Sequence, residues 1–169
     1  MTKNDKILNI GCGNSKLSED LSEEGYEDIT NIDFSTKVIN IMEQTYKEKF
    51  PKMQFKVADV LDMKEFQSGT FNTILDKGTL DCVLCGDNSV PNAAKMMSEI
   101  YRLLAPGGHY MVITYGDPDV RKKYLETQQW ASLTVDKLAK PSAAVSSTIN
   151  ADENDVKNFH YIYTMAKTK

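Results

Sequence analysis

Short apolar runs alternate with amphipathic stretches through most of the chain. Residues 6–10 (KILNI) end at Gly11 and residues 28–33 (DITNID) end at an acid, and both runs are typical of strands. A helix is predicted from about Ser15, and a second helix, capped by Ser35, follows the second strand. The apolar face predicted for this second helix consists of Val38, Ile41, Met42 and Thr45.

The same alternation continues into the middle of the chain. Apolar residues at every second position mark a third strand, and residues 71–75 (FNTIL) mark a fourth. A helix with a continuous apolar stripe follows, and residues 106–108 (PGG) end it before a strand at residues 109–115. The third strand carries Met53, Phe55 and Val57, and the stripe consists of Ala93, Met96, Met97, Ile100, Leu103 and Leu104. Five strands alternating with helices predict an α/β fold with a Rossmann-like, doubly wound, mostly parallel sheet.

The last third of the chain has a different pattern. Residues 130–135 and residues 159–167 (FHYIYTMAK) predict two late strands with no convincing helix between them. We therefore expect an antiparallel pair at the edge of the sheet. The connection at residues 140–157 is rich in Ser, Ala and Asn and predicts a surface loop without chemistry of its own. The 169 residues fit one domain, residues 1–169.

Charge and hydropathy narrow the range of partners. The chain has 20 Lys and Arg against 24 Asp and Glu, a formal net charge of −4. A mildly acidic surface repels phosphate backbones, so nucleic acid is a poor partner. No apolar run approaches the ~20 residues of a membrane span, and the first ten residues lack the apolar segment of a signal peptide. The sequence predicts a cytoplasmic protein that binds neither nucleic acid nor membranes, and it leaves the oligomeric state open.

Three cysteines, Cys12, Cys82 and Cys85, are too few for a disulfide framework and fit a reducing compartment. Cys82 and Cys85 form a CxxC motif, but the chain has no second pair and both histidines are far away in sequence. A structural zinc site needs four ligands, and this spacing also suits one face of a helix. We therefore expect no metal site and treat the cysteines as small apolar residues.

A glycine-rich turn, GCGNS, directly follows the first strand and opens the first helix. In an open α/β sheet this position lies at the carboxyl edge of the strands, where ligands bind, and glycine lets the backbone approach a ligand closely. The turn is not the dinucleotide fingerprint GxGxxG, because Lys16 occupies the third glycine position. Asp33 ends the second strand, where a carboxylate can accept hydrogen bonds from the hydroxyls of a ribose. A nucleoside-containing cofactor is expected. Taken alone, the glycines could simply make a tight turn and Asp33 could simply cap a helix.

Further polar residues follow the third and fourth strands. Asp59, in VADVLD, could accept a hydrogen bond from an adenine amino group with Val60 beside the ring, and a role as a helix cap is nearly as good an explanation. The motif DKGTLD brings Asp76, Lys77 and Asp81 to the same edge. Such a polar cluster is costly to bury unless it binds a ligand or reaches the surface.

These motifs together resemble the class I S-adenosylmethionine-dependent methyltransferases. ILNIGCGNS, NIDFS, VADVLD, LDKGTLD and RLLAPGG are similar to successive motifs of the eukaryotic enzymes that methylate translation elongation factor 1-alpha, over about residues 6–115. The resemblance implies a seven-stranded sheet in the order 3-2-1-4-5-7-6 with strand seven antiparallel. It also implies S-adenosyl-L-methionine as cofactor, with S-adenosyl-L-homocysteine as product. The cofactor-binding residues that it implies are Gly11, Cys12, Gly13, Asn14, Asp33, Phe34, Asp59, Val60, Asp76 and Lys77.

Within that resemblance, the glycine turn passes under the methionine part of the cofactor, Asp33 holds the ribose, and Phe34 lies beside the adenine. Asp59 and Val60 fix the base, and Asp76 and Lys77 line the sulfonium end. Two departures are visible. Many members have an acid where this chain has Asn9, and the relatives have a cofactor-covering segment before the first strand, whereas here that strand begins within ten residues of Met1.

The resemblance favours a protein substrate, a lysine or an N-terminal amine, with a translation factor as one candidate. Asp76, Asp81 and Tyr115 are the candidate acceptors of the proton that the amine loses, and the sequence does not favour one of them. A small-molecule methyltransferase stays open, as does a truncated cofactor-binding module that supports a partner without activity of its own. A short-chain dehydrogenase is a weaker alternative, because its YxxxK pair, Tyr163 and Lys167, would lie on a strand about 13 Å apart instead of on a helix.

Overall fold

A computed structural model describes residues 1–140 and 159–169, and within these the strands form one seven-stranded sheet in the order 3-2-1-4-5-7-6. The first five strands are parallel, and β7 is antiparallel to both β5 and β6. The strands are β1 (Ile7–Ile10), β2 (Ile29–Asp33), β3 (Gln54–Val57), β4 (Phe71–Lys77), β5 (Leu104–Thr114), β6 (Trp130–Ala139) and β7 (Phe159–Lys167). The helices are α1 (Leu17–Glu23), α2 (Thr36–Tyr46), α3 (Thr79–Cys85), α4 (Ser89–Leu103) and α5 (Pro118–Leu125).

The predicted fold class, strand order and antiparallel last strand are confirmed. Every residue of β1 and β2 is buried, which is expected of parallel strands covered on both faces. Alternate residues of β1 enter separate cores, with Leu8 in the larger cluster and Ile7 in the smaller one. That residues 1–169 form one domain stays a prediction, since the predicted loop at residues 140–157 lies almost wholly outside the described residues.

The buried faces of α4 and α2 agree with the sequence prediction to different degrees. The apolar stripe of α4 is buried as predicted, from Ala93 to Leu103. The face predicted for α2 is confirmed at Met42, which is buried, and at Val38, which packs against the smaller core. It is wrong at Ile41, which is 52% exposed, and at Thr45, which is also exposed. The residues of α2 that enter the core are Ile39, Met42 and Tyr46. Apolar residues occur on more than one side of this helix, so their spacing alone does not determine its buried face.

Several boundaries move relative to the sequence prediction. β5 begins at Leu104, directly after α4, so the Pro-Gly-Gly turn lies inside the strand, where its pairing with β4 shifts register. β4 extends to Lys77 and β6 extends to Ala139. The pattern did not predict α5, although its signals are present: the Asp117 carboxylate accepts hydrogen bonds from the backbone of α5, and a proline is its first residue.

No helix within the described part of the chain is long and apolar enough to cross a membrane.

Candidate functional site

The glycine turn is held between β2 and the first turn of α3. Gly11 and Gly13 have φ angles of +57° and +51°, in the left-handed region that favours glycine. A Cβ atom on Gly11 would overlap the hydroxyl of Thr79, whereas one on Gly13 would meet open space. The Thr79 hydroxyl donates a hydrogen bond to the Ile10 carbonyl at 2.9 Å, and the Cys12 amide donates to the Ile32 carbonyl at 2.9 Å. The close approach to α3 therefore requires glycine at position 11.

Asp33 connects this turn to the start of α2. One carboxylate oxygen accepts a hydrogen bond from the Gly13 amide at 3.0 Å, and the other accepts from the Ser35 amide at 2.9 Å. The residue is only 8% exposed, whereas its neighbour Phe34 is 83% exposed. Because each carboxylate oxygen has two lone pairs, both oxygens can still accept a hydrogen bond from a ligand hydroxyl.

The loop after β3 approaches the same edge of the sheet. The Asp59 carboxylate accepts a hydrogen bond from the Leu61 amide at 2.9 Å, and the Asp59 carbonyl accepts one from the Asp62 amide at 3.0 Å. Asp59 thus closes a tight turn and does not cap a helix. It is exposed, and Val60 beside it is half-buried.

Asp76 turns inward under α3. Its carboxylate accepts hydrogen bonds from the Thr79 amide at 2.7 Å, the Leu80 amide at 3.1 Å and the Tyr110 hydroxyl at 2.9 Å. Burial raises the pKa of this carboxyl to about 7, against the lowering effect of the three donors. The next residue, Lys77, is exposed.

A cleft of about 490 Å³ lies at the carboxyl ends of β1, β2 and β4, and we call it the edge cleft. This volume is within the usual range of small-molecule and cofactor sites. Its described lining includes six residues predicted from the sequence: Gly11, Asp33, Phe34, Asp59, Val60 and Lys77. The other predicted residues, Cys12, Gly13, Asn14 and Asp76, are not among the described lining residues. Most of the predicted set is thus brought to one cleft.

The edge cleft also has a wall that the predicted set does not include. The other lining residues are Ala58, Leu61, Gly78, Thr79, Cys82 and Val83. Most of this wall is the first two turns of α3, a helix that the pattern of apolar residues did not reveal. Its signal was present in residues 79–83 (TLDCV), because Cys82 and Val83 follow Thr79 at the three- and four-residue spacing that aligns side chains on a helix.

The cysteines divide into two kinds. Cys12 is buried, and burial together with the negative charge of Asp33 raises the pKa of its thiol to about 12. Cys82 and Cys85, treated as small apolar residues on the basis of the sequence, are both exposed. Both lie on α3. The first turn of this helix covers Asp76, whereas the two cysteines are exposed.

Asn9, where many class I members have an acid, lies in a buried polar group at the start of α1. Its amide nitrogen donates to the Ser18 hydroxyl at 3.1 Å and to the Asn31 side-chain carbonyl at 3.0 Å. The Ser18 hydroxyl donates to the same Asn31 oxygen at 2.6 Å. Asn9 therefore fastens α1 to β1 and β2 with uncharged hydrogen bonds.

A buried ion pair fixes the turn after β5. The Arg121 guanidinium lies 2.6 Å from an Asp81 carboxylate oxygen, which also accepts a hydrogen bond from the Thr114 hydroxyl. The second Asp81 oxygen and the Arg121 Nε have no hydrogen-bond partner among the described residues. The Gly116 carbonyl accepts a hydrogen bond from the Tyr163 hydroxyl at 2.8 Å. This network, which we call the Asp81–Arg121 pair, joins α3, β5, α5 and β7.

The YxxxK residues have structural partners. Besides the bond from Tyr163, Lys167 donates hydrogen bonds to the carbonyls of Tyr101 and Leu104 at 2.7 and 2.8 Å. Both residues lie on β7, so they are not arranged on a helix as a reductase would need.

With the fold and the cleft in view, similarity to known proteins defines the class. A sequence family described as "Methyltransferase domain" matches residues 1–167. The chain belongs to this methyltransferase family. Its fold is that of a S-adenosylmethionine-dependent methyltransferase from Methanosarcina mazei, with a TM-score of 0.71 and 18% identity over 99% of this chain and 94% of that one. A phosphoethanolamine N-methyltransferase of Haemonchus contortus, solved with S-adenosyl-L-methionine, has a TM-score of 0.72 at 16% identity, over 100% of this chain and 50% of that one.

Among its relatives are enzymes described by their action on one translation factor. A Bos taurus protein named "eEF1A lysine and N-terminal methyltransferase" is 41% identical over 121 residues, which are 70% of this chain and 17% of that protein. "EEF1A lysine methyltransferase 4" of Mus musculus is 35% identical over 128 residues, 71% of this chain and 49% of that protein. The resemblance inferred from the motifs is confirmed. The chain spans less than a fifth of the length of the first of these relatives and about half of the second.

Proposed function

We propose that this chain transfers a methyl group from S-adenosyl-L-methionine to a protein amine, a lysine side chain or an N-terminal amine. The observation that carries the proposal is the edge cleft itself. It brings the glycine turn, the Asp33 carboxylate and the loop of Asp59 and Val60 together in a chain of the methyltransferase family. The names of the relatives favour a translation factor as the acceptor and the cytoplasm as the place of action.

The residues of the edge cleft fit the adenosyl cofactor. Asp33 retains hydrogen-bond acceptors for the ribose hydroxyls, because its own backbone donors use only one lone pair of each oxygen. Phe34 and Val60 supply apolar surface for the adenine ring, and Asp59 supplies an acceptor for its amino group. The proposed roles of Cys12, Gly13, Asn14, Asp76 and Lys77 at the methionine and sulfonium end remain predictions.

When bound, the cofactor supplies an electrophilic methyl group on a sulfonium. The chain then has to hold the acceptor amine near that carbon and exclude water, and such positioning contributes up to ~10 kcal/mol to rate enhancement. A free lysine has a pKa of about 10.4, so it must lose a proton before it can react. Asp76 and Asp81 are buried away from the surface. Tyr115 is exposed, but the charge of Asp81 raises its pKa, so its phenol donates hydrogen bonds at neutral pH and does not accept the proton. We infer that the acceptor amine loses its proton to bulk water before it enters the site from which water is excluded.

The test measures binding and transfer separately. Calorimetry with S-adenosyl-L-homocysteine examines the cofactor site, and NAD serves as the negative control. Incubation with S-adenosyl-L-methionine labelled in the methyl group, with purified eEF1A and in parallel with cell extract, examines transfer. We expect binding and a labelled protein, and Asp33→Ala should reduce both.

Each other outcome favours a defined alternative. Label in small molecules alone would indicate a small-molecule methyltransferase. Binding without any labelled product would indicate a cofactor-binding module that supports a partner. Absence of binding by the folded protein would contradict the cofactor assignment.

A further inference from the structure

The edge cleft contains a thiol to which the proposed function gives no role. Cys82 lies on α3 and lines the cleft, as do Asp33 and Phe34. It is exposed, and so is Cys85 one turn further on. A small reagent can therefore reach both thiols, and a group attached to the Cys82 sulfur would occupy space that the proposed function assigns to the cofactor.

The helix places the two cysteines within range of each other. Residues three apart on an α-helix share one side, with Cα atoms about 5 Å apart, inside the range of ~4.4–6.8 Å found in disulfides. Their Cβ atoms are about 5–6 Å apart in a regular helix, whereas a disulfide needs ~3.5–4.5 Å. A bond between them therefore requires the last helical turn to tighten by roughly 1 Å.

The end of α3 allows that adjustment. Cys85 is the last helical residue, and Gly86 continues with an extended backbone, φ −87° and ψ 172°. The Gly86 amide makes only a long hydrogen bond, 3.4 Å, to the Val83 carbonyl. The first turn, by contrast, is held by Asp76 and the Asp81–Arg121 pair. Tightening would thus draw Cys85 toward Cys82 and turn the Cys82 side chain within the cleft wall, while the start of the helix stays in place.

We propose that Cys82 and Cys85 form a thiol–disulfide exchange site in the wall of the edge cleft, and that their oxidation weakens cofactor binding. The inference rests on the proposed function for the identity of the ligand. The co-reactant is a small disulfide of the glutathione class. The Cys82 thiolate attacks one sulfur of that disulfide, whose S–S bond breaks, and one thiol leaves after taking up a proton.

The Cys85 thiolate then attacks the Cys82 sulfur and releases the second thiol. Two protein thiols are oxidised to one disulfide, and the small disulfide is reduced to two thiols. Because bound cofactor covers Cys82, it slows the first attack. Dithiothreitol reverses the reaction.

The experiment uses the whole chain and S-adenosyl-L-homocysteine as the probe. The reduced protein is incubated with oxidised glutathione, and intact mass and peptide mapping follow the thiols while calorimetry follows binding. We expect a disulfide between Cys82 and Cys85, a loss of affinity of about tenfold or more, full recovery after reduction, and a several-fold slower reaction in the presence of the probe.

Two variants separate the steps. Cys85→Ser keeps the thiol of the cleft but cannot close the disulfide, so it should stop at a glutathione adduct on Cys82. The affinity of Cys82→Ser for the probe should be the same before and after incubation with oxidised glutathione. Circular dichroism is the control for folding of both variants. We expect both to fold, because the two substituted residues are exposed.

The outcomes keep the two proposals apart. A disulfide that forms without a change in affinity, or a reaction rate that the probe does not alter, would overturn the exchange site while the cofactor assignment stands. Failure of Cys82 to react at all would overturn it as well. If the reduced protein does not bind the probe, the cofactor assignment is the one that fails, and the mass data still decide whether the disulfide forms.

Discussion

Two pairs of aspartates at the carboxyl edge of the sheet have opposite surroundings. Asp33 and Asp59 line the edge cleft, and within the described residues their carboxylates accept hydrogen bonds only from backbone amides, those of Gly13 and Ser35 for Asp33 and that of Leu61 for Asp59. Asp76 and Asp81 are 1% and 2% exposed and accept hydrogen bonds from side chains of β5 and α5. The first pair retains acceptors for a ligand, whereas the second fastens α3 to the rest of the protein.

The difference arises from what lies above each strand end. After β4 the chain turns at Gly78 and α3 begins at once, so its first amides close over Asp76. After β2 the chain enters α2 through Ser35, and the neighbouring strand β3 ends at Val57, which is 48% exposed. An acid at the end of a strand is therefore accessible to a ligand only where the next helix does not cover it.

The largest expected effect is on the buried side. Arg121→Met removes one partner of the Asp81–Arg121 pair and leaves a buried carboxylate without its counter-charge. We expect the free energy of unfolding to fall by about 3–5 kcal/mol. Urea denaturation measures it. The matched control is Lys64→Met, which breaks an exposed ion pair with Asp62 and should have no measurable effect. Equal effects of the two substitutions would mean that the Asp81–Arg121 pair is not buried in solution.

The ionisation of Asp76 should make stability depend on pH. Because burial raises its pKa to about 7 in the folded state, the folded protein holds a proton that the unfolded chain releases near pH 4. The sign follows from linkage: its contribution to stability is largest at low pH and is lost as the pH rises through about 7.

We expect the wild type to lose about 3 kcal/mol relative to Asp76→Asn between pH 4.5 and 7. Urea denaturation of both proteins across this range provides the measurement. Parallel pH profiles of the two proteins would show that burial does not raise the pKa of Asp76.

On the open side, the expected effect is on binding. Asp33→Ala should weaken binding of S-adenosyl-L-homocysteine by about 1–3 kcal/mol, because ribose hydroxyls lose their acceptor. Asp76→Asn is the comparison, and in a folded protein its affinity should fall by less than that of Asp33→Ala, since the Asp76 carboxylate already accepts hydrogen bonds from α3 and Tyr110 and is not among the described residues lining the edge cleft. Calorimetry gives both values. A larger loss from Asp76→Asn would reverse the assignment of the two aspartates.

The smallest effect concerns the glycine turn between the two pairs. Gly11→Ala and Gly13→Ala impose similar left-handed strain, but only the first places a Cβ against Thr79. We expect Gly11→Ala to be less stable than Gly13→Ala by about 1–2 kcal/mol, the usual range for overpacking. Thermal and urea denaturation compare them, and equal stability would show that α3 does not press against the turn.

The amino-acid sequence by itself determined the order of the strands and the buried stripe of α4. It also placed the glycine turn and Asp33 at the carboxyl edge of the sheet. These features are local, because the period of apolar residues, the left-handed preference of glycine and the end of a strand are properties of neighbouring residues. Sequence reasoning placed Gly11, Asp33 and Val60 together because parallel strands end at one edge.

Only the tertiary structure decided which side chains line the edge cleft. Asp76 and Asp33 both lie at the carboxyl ends of strands. Tyr110 and α3 cover Asp76, whereas Asp33 lines the edge cleft. Ile39 and Ile41 lie on the same helix, and Cys12 and Cys82 are the same residue type, but in each case only the first is buried. Burial depends on what packs above a residue from distant parts of the chain, and no local pattern contains that information.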